Sequence, residues 1–400
     1  MTSNYLAPMP RRKVLHVIVG LDVGGAERTL QRLVDPASDF HEYEHVVVSL
    51  TTPGRLGPAM QSRGVRVLAL GMRDFRHALS TLWKLRQAIR AEHPDIVQCW
   101  MYHADLMGGV AARLAGQSRI VWGIRTTDIV SGSSRMTAVV RRICAALSRV
   151  IPRIIVCAAE AARRTHVAEG YDSARMVVIP NGYDTTQPLA VDDQARQLRA
   201  QHAIGPDAVV IGCVARFNVY KDLRTFVRAT GVVAASRDDV RVIMVGLGLE
   251  RANQELMAWI NETESPGRFI LLGERDDVPA CLASMDIFCL SSRSEGMPNA
   301  VAEAMAMGVP CVATDVGDTA ILVGDTGLIV PRENPAALAS ALSAMAGMPS
   351  AARRELGMRA RQRIETDYSV GRMRERYDEV YDQVMRSAGS NGPQALTGTR

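Results

Sequence analysis

The sequence lacks the features that mark several large classes of protein. Its seven cysteines are odd in number and none forms a CxxC pair, so neither a disulfide framework nor a zinc knuckle is predicted. No apolar run reaches the ~18 to 20 residues that a membrane-spanning helix needs. Aromatic residues are only 5% of the chain and are not interleaved with the basic ones, which argues against nucleic-acid binding. We expect a protein of the reducing cytoplasm.

Several ligand-binding motifs are missing as well. No Asp-x-Asp and no Cys/His metal spacing occurs anywhere in the chain, so we predict that the protein needs no metal ion and no bound cofactor. A GxGxxG turn with its acidic partner and a GxxxxGK[ST] loop are also absent, which argues against a nicotinamide dehydrogenase and a P-loop enzyme. The start of the chain has no small-residue cleavage site after its apolar run, so we expect no signal peptide.

What is present is an ordinary globular composition with an uneven charge. Hydrophobic residues make up 47% and charged residues 22% of 400 residues, with a net charge of +5. Residues 1–190 carry 24 Lys and Arg against 15 Asp and Glu, a net charge of +9, and the rest carry 23 against 27, a net charge of −4. The length and the uneven charge predict two modules that meet different partners.

Short β-branched runs alternate with longer stretches of helical periodicity through both halves, which predicts an α/β fold of two tandem, Rossmann-like, doubly wound domains. The alternation stops at a polar stretch near 185–207 and restarts at strand 209–214. We therefore place an N-terminal domain at 1–185, a C-terminal domain at 186–369 and a flexible tail at 387–400. Ligands of such sheets bind at the carboxyl ends of the strands, so we expect the active site in a cleft between the two domains.

The most informative window is 286–317, in which a buried strand leads to a loop with Glu295, Met297 and Pro298, and a helix then begins near Asn299. The first N–H groups of such a helix form an anion site. Glu295 in the loop can accept hydrogen bonds from sugar hydroxyls, and Glu303, one turn into the helix, can accept them from a ribose diol. The alternative for Glu303 is a solvent-exposed place on an Ala/Met-rich helix.

Two further groups follow strands. Arg216 and Lys221 come after strand 209–214, where a guanidinium fork and an ammonium charge suit a diphosphate; the alternative is two solvated loop cations. Gly24 and Gly25 follow the first strand and would let the backbone approach a phosphate or sugar closely, although such a pair is more often simple turn chemistry. Gly246-Leu247-Gly248 is a similarly weak signal.

Taken in order, these motifs resemble family 4 glycosyltransferases, which are retaining enzymes of the GT-B fold that use nucleotide-sugar donors and, in bacteria, build surface polysaccharides. The resemblance runs from residue 14 to about 381. It rests on Gly-Gly-Ala-Glu at 24–27, His103 in MYHADLMGG, IPNGYD at 179–184, the Arg216 and Lys221 pair, and Glu295 separated by seven residues from Glu303. The spacing of the two glutamates is its specific part.

The resemblance implies a role for each of these residues. Arg216 and Lys221 would hold the donor diphosphate, Glu295 the transferred sugar and Glu303 the ribose. Gly25 would bring backbone to the diphosphate or acceptor, and His103 would contact the donor sugar; without the resemblance His103 is better interpreted as a core histidine. The 1–185 domain would bind the acceptor and the 186–369 domain the donor, and a final helix at 370–385 would return to the first domain.

One departure concerns the residues after strand 120–123. Similar proteins often have a histidine there, whereas this chain has Gly-Ile-Arg-Thr-Thr-Asp at 123–128. Arg125 or Asp128 would then shape the acceptor pocket. The resemblance thus implies a retaining hexosyltransferase that moves a sugar from a nucleoside diphosphate sugar to a glycan or lipid-linked glycan. The competing interpretations are a non-catalytic or an epimerase-like nucleotide-sugar binding protein with the same fold.

The segment 135–164 is strongly basic, with seven arginines and one acidic residue, Glu160. Arg141, Arg142 and Arg149 alternate with apolar residues in an amphipathic pattern, which is typical of helices that lie on an anionic membrane surface. A helix packed on its own sheet with a solvated basic face fits the pattern equally well. In the first case the protein would be peripheral at the inner face of the plasma membrane, and a lipid-linked acceptor would be favoured.

Overall fold

The structure is a computed structural model that describes residues 11–22, 24–36, 42–127, 135–186 and 188–386. By their internal packing these residues form two compact units. The first unit runs to Pro180 and resumes at Met373, and the second unit is Asn181–Arg372. The predicted tail at 387–400 and Asp128 lie outside the described residues.

The first unit contains a seven-stranded parallel sheet. Its strands are β1 (Arg12–Ile18), β2 (Tyr43–Ser49), β3 (Arg66–Ala69), β4 (Ile96–Trp100), β5 (Ile120–Ile124), β6 (Ile154–Cys157) and β7 (Met176–Val178). They lie in the order β3-β2-β1-β4-β5-β6-β7. The reversal of direction on either side of β1 makes the sheet doubly wound.

Helices connect these strands. They are α1 (Gly25–Val34), α2 (Leu56–Ser62), α3 (Ala78–Glu92), α4 (Tyr102–Leu114), α5 (Arg135–Leu147) and α6 (Glu160–Ala168). Helix α4 packs against both α3 and α5, so these three form one layer on one face of the sheet. Parallel strands require such crossovers, and every helix of this layer therefore begins at the carboxyl edge of the sheet.

The second unit contains a six-stranded parallel sheet. Its strands are β8 (Val209–Val214), β9 (Val240–Val245), β10 (Phe269–Gly273), β11 (Ile287–Leu290), β12 (Cys311–Thr314) and β13 (Gly327–Val330). Their order is β10-β9-β8-β11-β12-β13. The order reverses between β8 and β11, and this places the loops after these two strands side by side at a topological switch point.

The helices of the second unit are α7 (Pro188–Gln201), α8 (Leu223–Ser236), α9 (Gln254–Asn261), α10 (Val278–Ala283), α11 (Asn299–Ala306), α12 (Thr319–Val323), α13 (Pro335–Gly347) and α14 (Ser350–Asp367). The core of this unit joins apolar side chains of β8, β9 and β11 to those of α8 and α13. The strands are buried on both faces, as expected for a parallel sheet covered by helices.

The last helix, α15 (Val370–Arg386), belongs to the first unit from Met373 onward. Its aromatic side chains bind the sheet: the Tyr381 hydroxyl donates to Gln98 Oε1 at 2.9 Å, and Tyr377 stacks on Trp100 at a ring distance of 6.1 Å. The first unit therefore contains the end of the chain, as the resemblance implied for a helix at 370–385.

The predicted α/β class, with two doubly wound sheets, is confirmed. The prediction that the alternation of strands and helices stops at 185–207 is wrong, because this stretch contains helix α7. Val191, Ala195 and Leu198 are buried in it at a spacing of four and three residues, a short apolar stripe that the surrounding polar residues conceal. Strand β13 was missed because its four residues carry little periodicity.

Candidate functional site

The central feature of the second unit is an ion pair between two predicted site residues. Lys221 Nζ lies 2.5 Å from Glu295 Oε1, with 25% and 12% of the two side chains exposed. Lys221 follows β8 and Glu295 follows β11, so the pair forms because these strands are neighbours at the switch point. A partly buried pair of this kind is less screened by solvent than a surface pair.

A short turn fixes the position of Lys221. Residues Val219–Lys221 form one turn of 3₁₀ helix, and the Asn218 side chain accepts hydrogen bonds from the N–H groups of Tyr220 and Lys221 at 3.0 and 3.2 Å. Asp222 follows in the left-handed region with φ 45°. Such a conformation is tolerated by Asp and turns the chain into α8.

The turn is also tied to the loop after β11. The buried Asp222 carboxylate accepts from Arg293 Nη2 at 3.2 Å and from Thr225 Oγ1 at 2.9 Å. Ser291 Oγ donates to the Lys221 carbonyl at 2.8 Å. These contacts hold the backbone on both sides of the ion pair, so the lysine is presented on a rigid support.

Glu295 has its own support. Ser292 Oγ donates to Glu295 Oε1 at 2.7 Å, and Thr314 Oγ1 on β12 donates to the Ser292 carbonyl at 2.7 Å. Gly317 has φ 57°, and a Cβ at this position would run into the carbonyl groups of Glu295 and Gly296. The loop after β12 can therefore lie directly against the Glu295 loop only because residue 317 is glycine.

The loop that carries Arg216 lies against the weak Gly246-Leu247-Gly248 motif. Gly246 has φ 135°, and a Cβ there would collide with the Ala215 carbonyl. The Phe217 N–H donates to the Leu247 carbonyl at 2.8 Å. The motif thus positions the backbone around Arg216, whose side chain is exposed.

Helix α11 begins at Asn299, directly after Pro298. Met297 and Pro298 are buried, whereas Glu303, one turn into the helix, is half-buried. Val301 and Ala302 donate their N–H groups to the Pro298 carbonyl. The helix therefore begins at the place that the sequence predicts, with its N-terminus at the carboxyl edge of the sheet.

The segment after β7 is bound to the start of α11. Asn181 Nδ2 and the Tyr183 hydroxyl both donate to Asn299 Oδ1, each at 2.8 Å. The Tyr183 N–H also donates to the Tyr368 carbonyl at 2.8 Å. The IPNGYD motif thus holds the first residue of α11, a role that the sequence did not indicate.

In the first unit, the predicted glycine pair lies at the start of α1. Gly24 precedes α1 and Gly25 is its exposed first residue. The Glu27 side chain fills the space that a Cβ at residue 24 would occupy. Glu27 is half-buried, and this burial raises the pKa of its carboxyl group.

His103 lies in the first turn of α4. Met101, directly before this helix, has φ 71°, an unusual conformation for a side chain of this size. The Met101 N–H donates to the Gly123 carbonyl at 2.8 Å. His103 itself is half-buried, and burial lowers the pKa of its imidazole, so the ring is neutral near pH 7.

The neighbouring Asp105 is fully buried. Its Oδ1 accepts from the Gly123 N–H at 3.1 Å, and burial raises the pKa of its carboxyl group well above the usual range. Arg125, predicted to shape an acceptor pocket, donates to the Tyr377 hydroxyl at 3.2 Å and lies over the Trp100 ring at 5.4 Å. The first contact ties Arg125 to α15, and the second ties it to β4.

The structure also describes most of the basic segment 135–164. Met136, Val139, Ile143 and Val150 are exposed, as are Arg142 and Arg149. Arg141, which the sequence analysis placed with Arg142 and Arg149, is instead buried and donates from Nε to Glu169 Oε2 at 3.2 Å. It shares the inward side of α5 with Val140 and Cys144.

No group of three or more His, Cys, Asp or Glu side chains in the described residues could hold a metal ion. None of the helices in this part of the chain is both long and apolar enough to cross a bilayer.

Comparison with known families and proteins gives consistent matches. The family model "Glycosyltransferase Family 4" matches residues 23–187, and the model "Glycosyl transferases group 1" matches residues 208–347. Together they span about three quarters of the chain. The first of these models covers strands β2 to β7, and the second covers the whole sheet of the second unit.

Two curated relatives are similar in sequence. An Escherichia coli UDP-Gal:alpha-D-GlcNAc-diphosphoundecaprenol alpha-1,3-galactosyltransferase is 25% identical over 61% of this chain, and the match spans 64% of that enzyme, just under two thirds. A 2-deoxystreptamine glucosyltransferase of Streptomyces kanamyceticus is 27% identical over 70% of this chain and 74% of its own length. Among solved structures, Anabaena HepE in complex with UDP and glucose superimposes with a TM-score of 0.77 at 20% identity, over 93% of this chain and 99% of that one.

Proposed function

The chain belongs to the family 4 and group 1 glycosyltransferases, and on that premise we propose that it transfers a hexosyl group from a nucleoside diphosphate sugar to a glycan or lipid-linked glycan. The configuration at the anomeric carbon is retained. The observation that carries the proposal is the Lys221–Glu295 pair at the switch point of the second sheet, with Arg216 after the same strand as Lys221. A cation for the diphosphate and a carboxylate for the sugar are thus held together.

In this proposal Lys221 and Arg216 neutralise the diphosphate of the donor. An ammonium group has three N–H donors, so a bond to Glu295 is compatible with further bonds to phosphate oxygens. The N-terminus of α11, which begins at Asn299 after Met297 and Pro298, adds backbone N–H groups at the same edge. These charges stabilise the leaving group as the anomeric C–O bond lengthens.

Glu295 and Glu303 orient the donor. Ser292 and Lys221 both donate to Glu295 Oε1, and in this proposal Oε2 accepts from a hydroxyl of the transferred sugar. Glu303 accepts from the ribose hydroxyls. As the resemblance implies, the donor sugar contacts His103. The diphosphate or the acceptor contacts the backbone at Gly24 and Gly25.

The reaction breaks the bond between the anomeric carbon and the diphosphate oxygen and forms one between that carbon and the acceptor oxygen. The acceptor hydroxyl loses its proton to the departing phosphate on the same face of the sugar, and the nucleoside diphosphate leaves. Cations and N–H groups already in place stabilise the negative charge that builds on the diphosphate in the transition state, so the step needs no metal ion.

The similar proteins support a choice of donor and acceptor. HepE binds UDP and glucose, and the Escherichia coli enzyme is named for UDP-Gal and a GlcNAc-diphospholipid. We therefore assign a UDP-hexose as donor and a lipid-linked glycan as acceptor. The exposed arginines and apolar residues of α5 support a peripheral position on an anionic membrane at its cytoplasmic face.

The test is a thermal-shift panel of UDP-, GDP- and ADP-hexoses, followed by transfer assays with a synthetic GlcNAc-diphospholipid. We expect UDP-hexoses to raise the melting temperature and the glycolipid product to form. Stabilisation by none of the nucleotide sugars would overturn the donor assignment. Conversion of the donor to an isomeric sugar nucleotide, without transfer, would identify an epimerase-like protein instead.

A further inference from the structure

The outer face of the helix layer α3–α4–α5 has two exposed apolar groups. One is on α5 and has been described above. The other is on α3, where 81% of Leu79 and 56% of Trp83 are exposed. The two residues are four positions apart and thus share one face of the helix, opposite Thr81, Leu85 and Ile89, which are buried.

Trp83 is held outward rather than packed. The Arg86 guanidinium lies over its ring at 4.6 Å, and Arg86 Nε donates to the Leu114 carbonyl at the end of α4 at 2.9 Å. The other three tryptophans differ: Trp100 and Trp122 are fully buried, and Trp259 stacks on a phenylalanine at 5.5 Å. An indole held at the surface beside a cation is typical of a membrane interface.

The charge of the region identifies the kind of partner. Residues 75–159 carry 12 Lys and Arg against four acidic residues. Two of the four acidic residues, Glu92 and Asp105, are buried, and so is Arg141 among the basic ones. A second copy of this chain bound symmetrically through this face would bring the same positive charge against it, whereas an anionic bilayer is complementary to both the arginines and the apolar side chains.

We propose that Leu79 and Trp83 form a second membrane anchor, so that an anionic bilayer binds α3 and α5 together across the α4 helix between them. The packing of the helices allows simultaneous contact, because α3 and α5 flank α4 on one face of the sheet and both begin at its carboxyl edge. Leu79 and Trp83 lie in the first two turns of α3, as Met136 and Val139 do in α5.

Two anchors would determine the orientation of the first unit on the membrane, whereas one anchor would not. A single amphipathic helix leaves the unit able to roll about the helix axis, whereas two helices on opposite sides of α4 fix its tilt. The first turn of α4, which carries His103, is then held at a set height above the lipid headgroups. The inference about the position of His103 rests on the proposed function. The inference that α3 binds the membrane does not.

The test uses flotation with vesicles of phosphatidylglycerol and phosphatidylcholine, with phosphatidylcholine alone as a reference. We expect the L79S/W83S double variant to bind the anionic vesicles at least about tenfold more weakly than the unchanged chain, since two apolar side chains no longer enter the interface. Replacement of Val232, which is 60% exposed on α8 of the second unit, by Ser is the matched control and should leave binding unchanged.

Tryptophan fluorescence gives an independent readout. Because Trp83 is the exposed indole, anionic vesicles should shift the emission to shorter wavelength, and W83F should lose most of this shift. Equal vesicle binding by L79S/W83S and V232S, or an emission that does not respond to vesicles, would overturn the second anchor. A change of sedimentation mass in the double variant would overturn it in favour of a second copy of the chain.

The failure of this inference can be told apart from the failure of the proposed function. Hydrolysis of a UDP-hexose in the absence of vesicles reports on the donor site without membrane binding, and we expect it to be equal in L79S/W83S and the unchanged chain. Vesicle binding through α3 without any donor turnover would support the second membrane anchor and contradict the proposed transferase activity.

Discussion

Lys221 and Glu295 are 74 positions apart in the sequence, yet Nζ and Oε1 lie 2.5 Å from each other. The pair depends on the order of strands, because β8 and β11 are neighbours although two strands separate them along the chain. Ser292 adds a second donor to the same carboxylate oxygen at 2.7 Å.

Replacement of Lys221 by Ala should lower kcat by about 100-fold or more, since it removes a preorganised positive charge from the leaving diphosphate. Steady-state kinetics with a UDP-hexose checks this. The matched control is R224A, because Arg224 is an exposed cation one turn away on α8, and we expect wild-type turnover from it. Comparable activity in K221A and R224A would contradict the role of Lys221.

Replacement of Gly317 by Ala should destabilise the second unit by about 1 to 3 kcal/mol and raise KM for the donor. The added methyl group would meet the carbonyls of Glu295 and Gly296, at a residue whose φ is 57°. Urea unfolding and kinetics measure the two effects. Gly205, where a Cβ would meet nothing within 4 Å, supplies the control variant G205A. If G317A behaved like G205A, the Glu295 loop would not depend on this glycine.

The Y183F variant should lose about 0.5 to 1.5 kcal/mol of stability, because it removes one of the two hydrogen bonds to Asn299 Oδ1. Donor affinity should fall as well if the first turn of α11 binds the donor. Isothermal titration with UDP and thermal unfolding test the two parts. An unchanged UDP affinity at reduced stability would confine Tyr183 to a structural role.

Activity should persist after dialysis against EDTA. Lys221, Arg216 and the N-terminus of α11 supply the positive charge that a divalent ion would otherwise bring to the diphosphate. Turnover is measured before and after dialysis, with Mg²⁺ and Mn²⁺ added back. Loss of activity that either ion restores would show that the prediction of metal independence is wrong.

The stability contributed by buried neutral histidines should decrease as the pH falls below about 6.5, while the buried Asp105 acts in the opposite direction because its raised pKa lets the folded protein bind a proton that the unfolded chain does not. His16 is fully buried, accepts from Trp100 Nε1 at 3.2 Å, and has its pKa lowered to about 3 by burial. Burial also lowers the pKa values of His103 and His166. Below pH 6.5 the unfolded chain binds protons that the folded protein does not, so each such histidine removes up to about 1.4 kcal/mol per pH unit.

Urea unfolding between pH 7.5 and pH 5 measures this dependence. H16N keeps an acceptor for Trp100 Nε1 but does not titrate, so the pH slope of its unfolding free energy should be smaller by about one proton. Equal slopes for the two proteins would mean that His16 is protonated in the folded state as well.

Much of the candidate site was accessible from local sequence. The buried strand before Glu295, the start of α11 near Asn299 and the strand before Arg216 each leave a short-range pattern of apolar and turn residues, and the structure has all three. The supporting residues were not accessible in this way. Ser292, Asp222 and Tyr183 act through partners between three and 116 positions away, and no periodicity encodes such pairs.

The basic segment shows the same division. Its amphipathic pattern predicted a helix, and α5 is present, but the pattern could not tell that Arg141 faces Glu169 inside the unit while Arg142 is exposed. Leu79 and Trp83 were not singled out, because a leucine and a tryptophan four residues apart are ordinary core residues in a sequence. Their exposure is visible only once α3 is packed.

The sequence by itself determined the fold class, the doubly wound halves and the motifs that identify the family, because strand and helix periodicity and turn residues act over a few neighbouring positions. Tertiary structure alone decided which of these residues meet. The order of strands brings Lys221 to Glu295, left-handed glycines let the loops approach, and packing decides which apolar side chains stay at the surface.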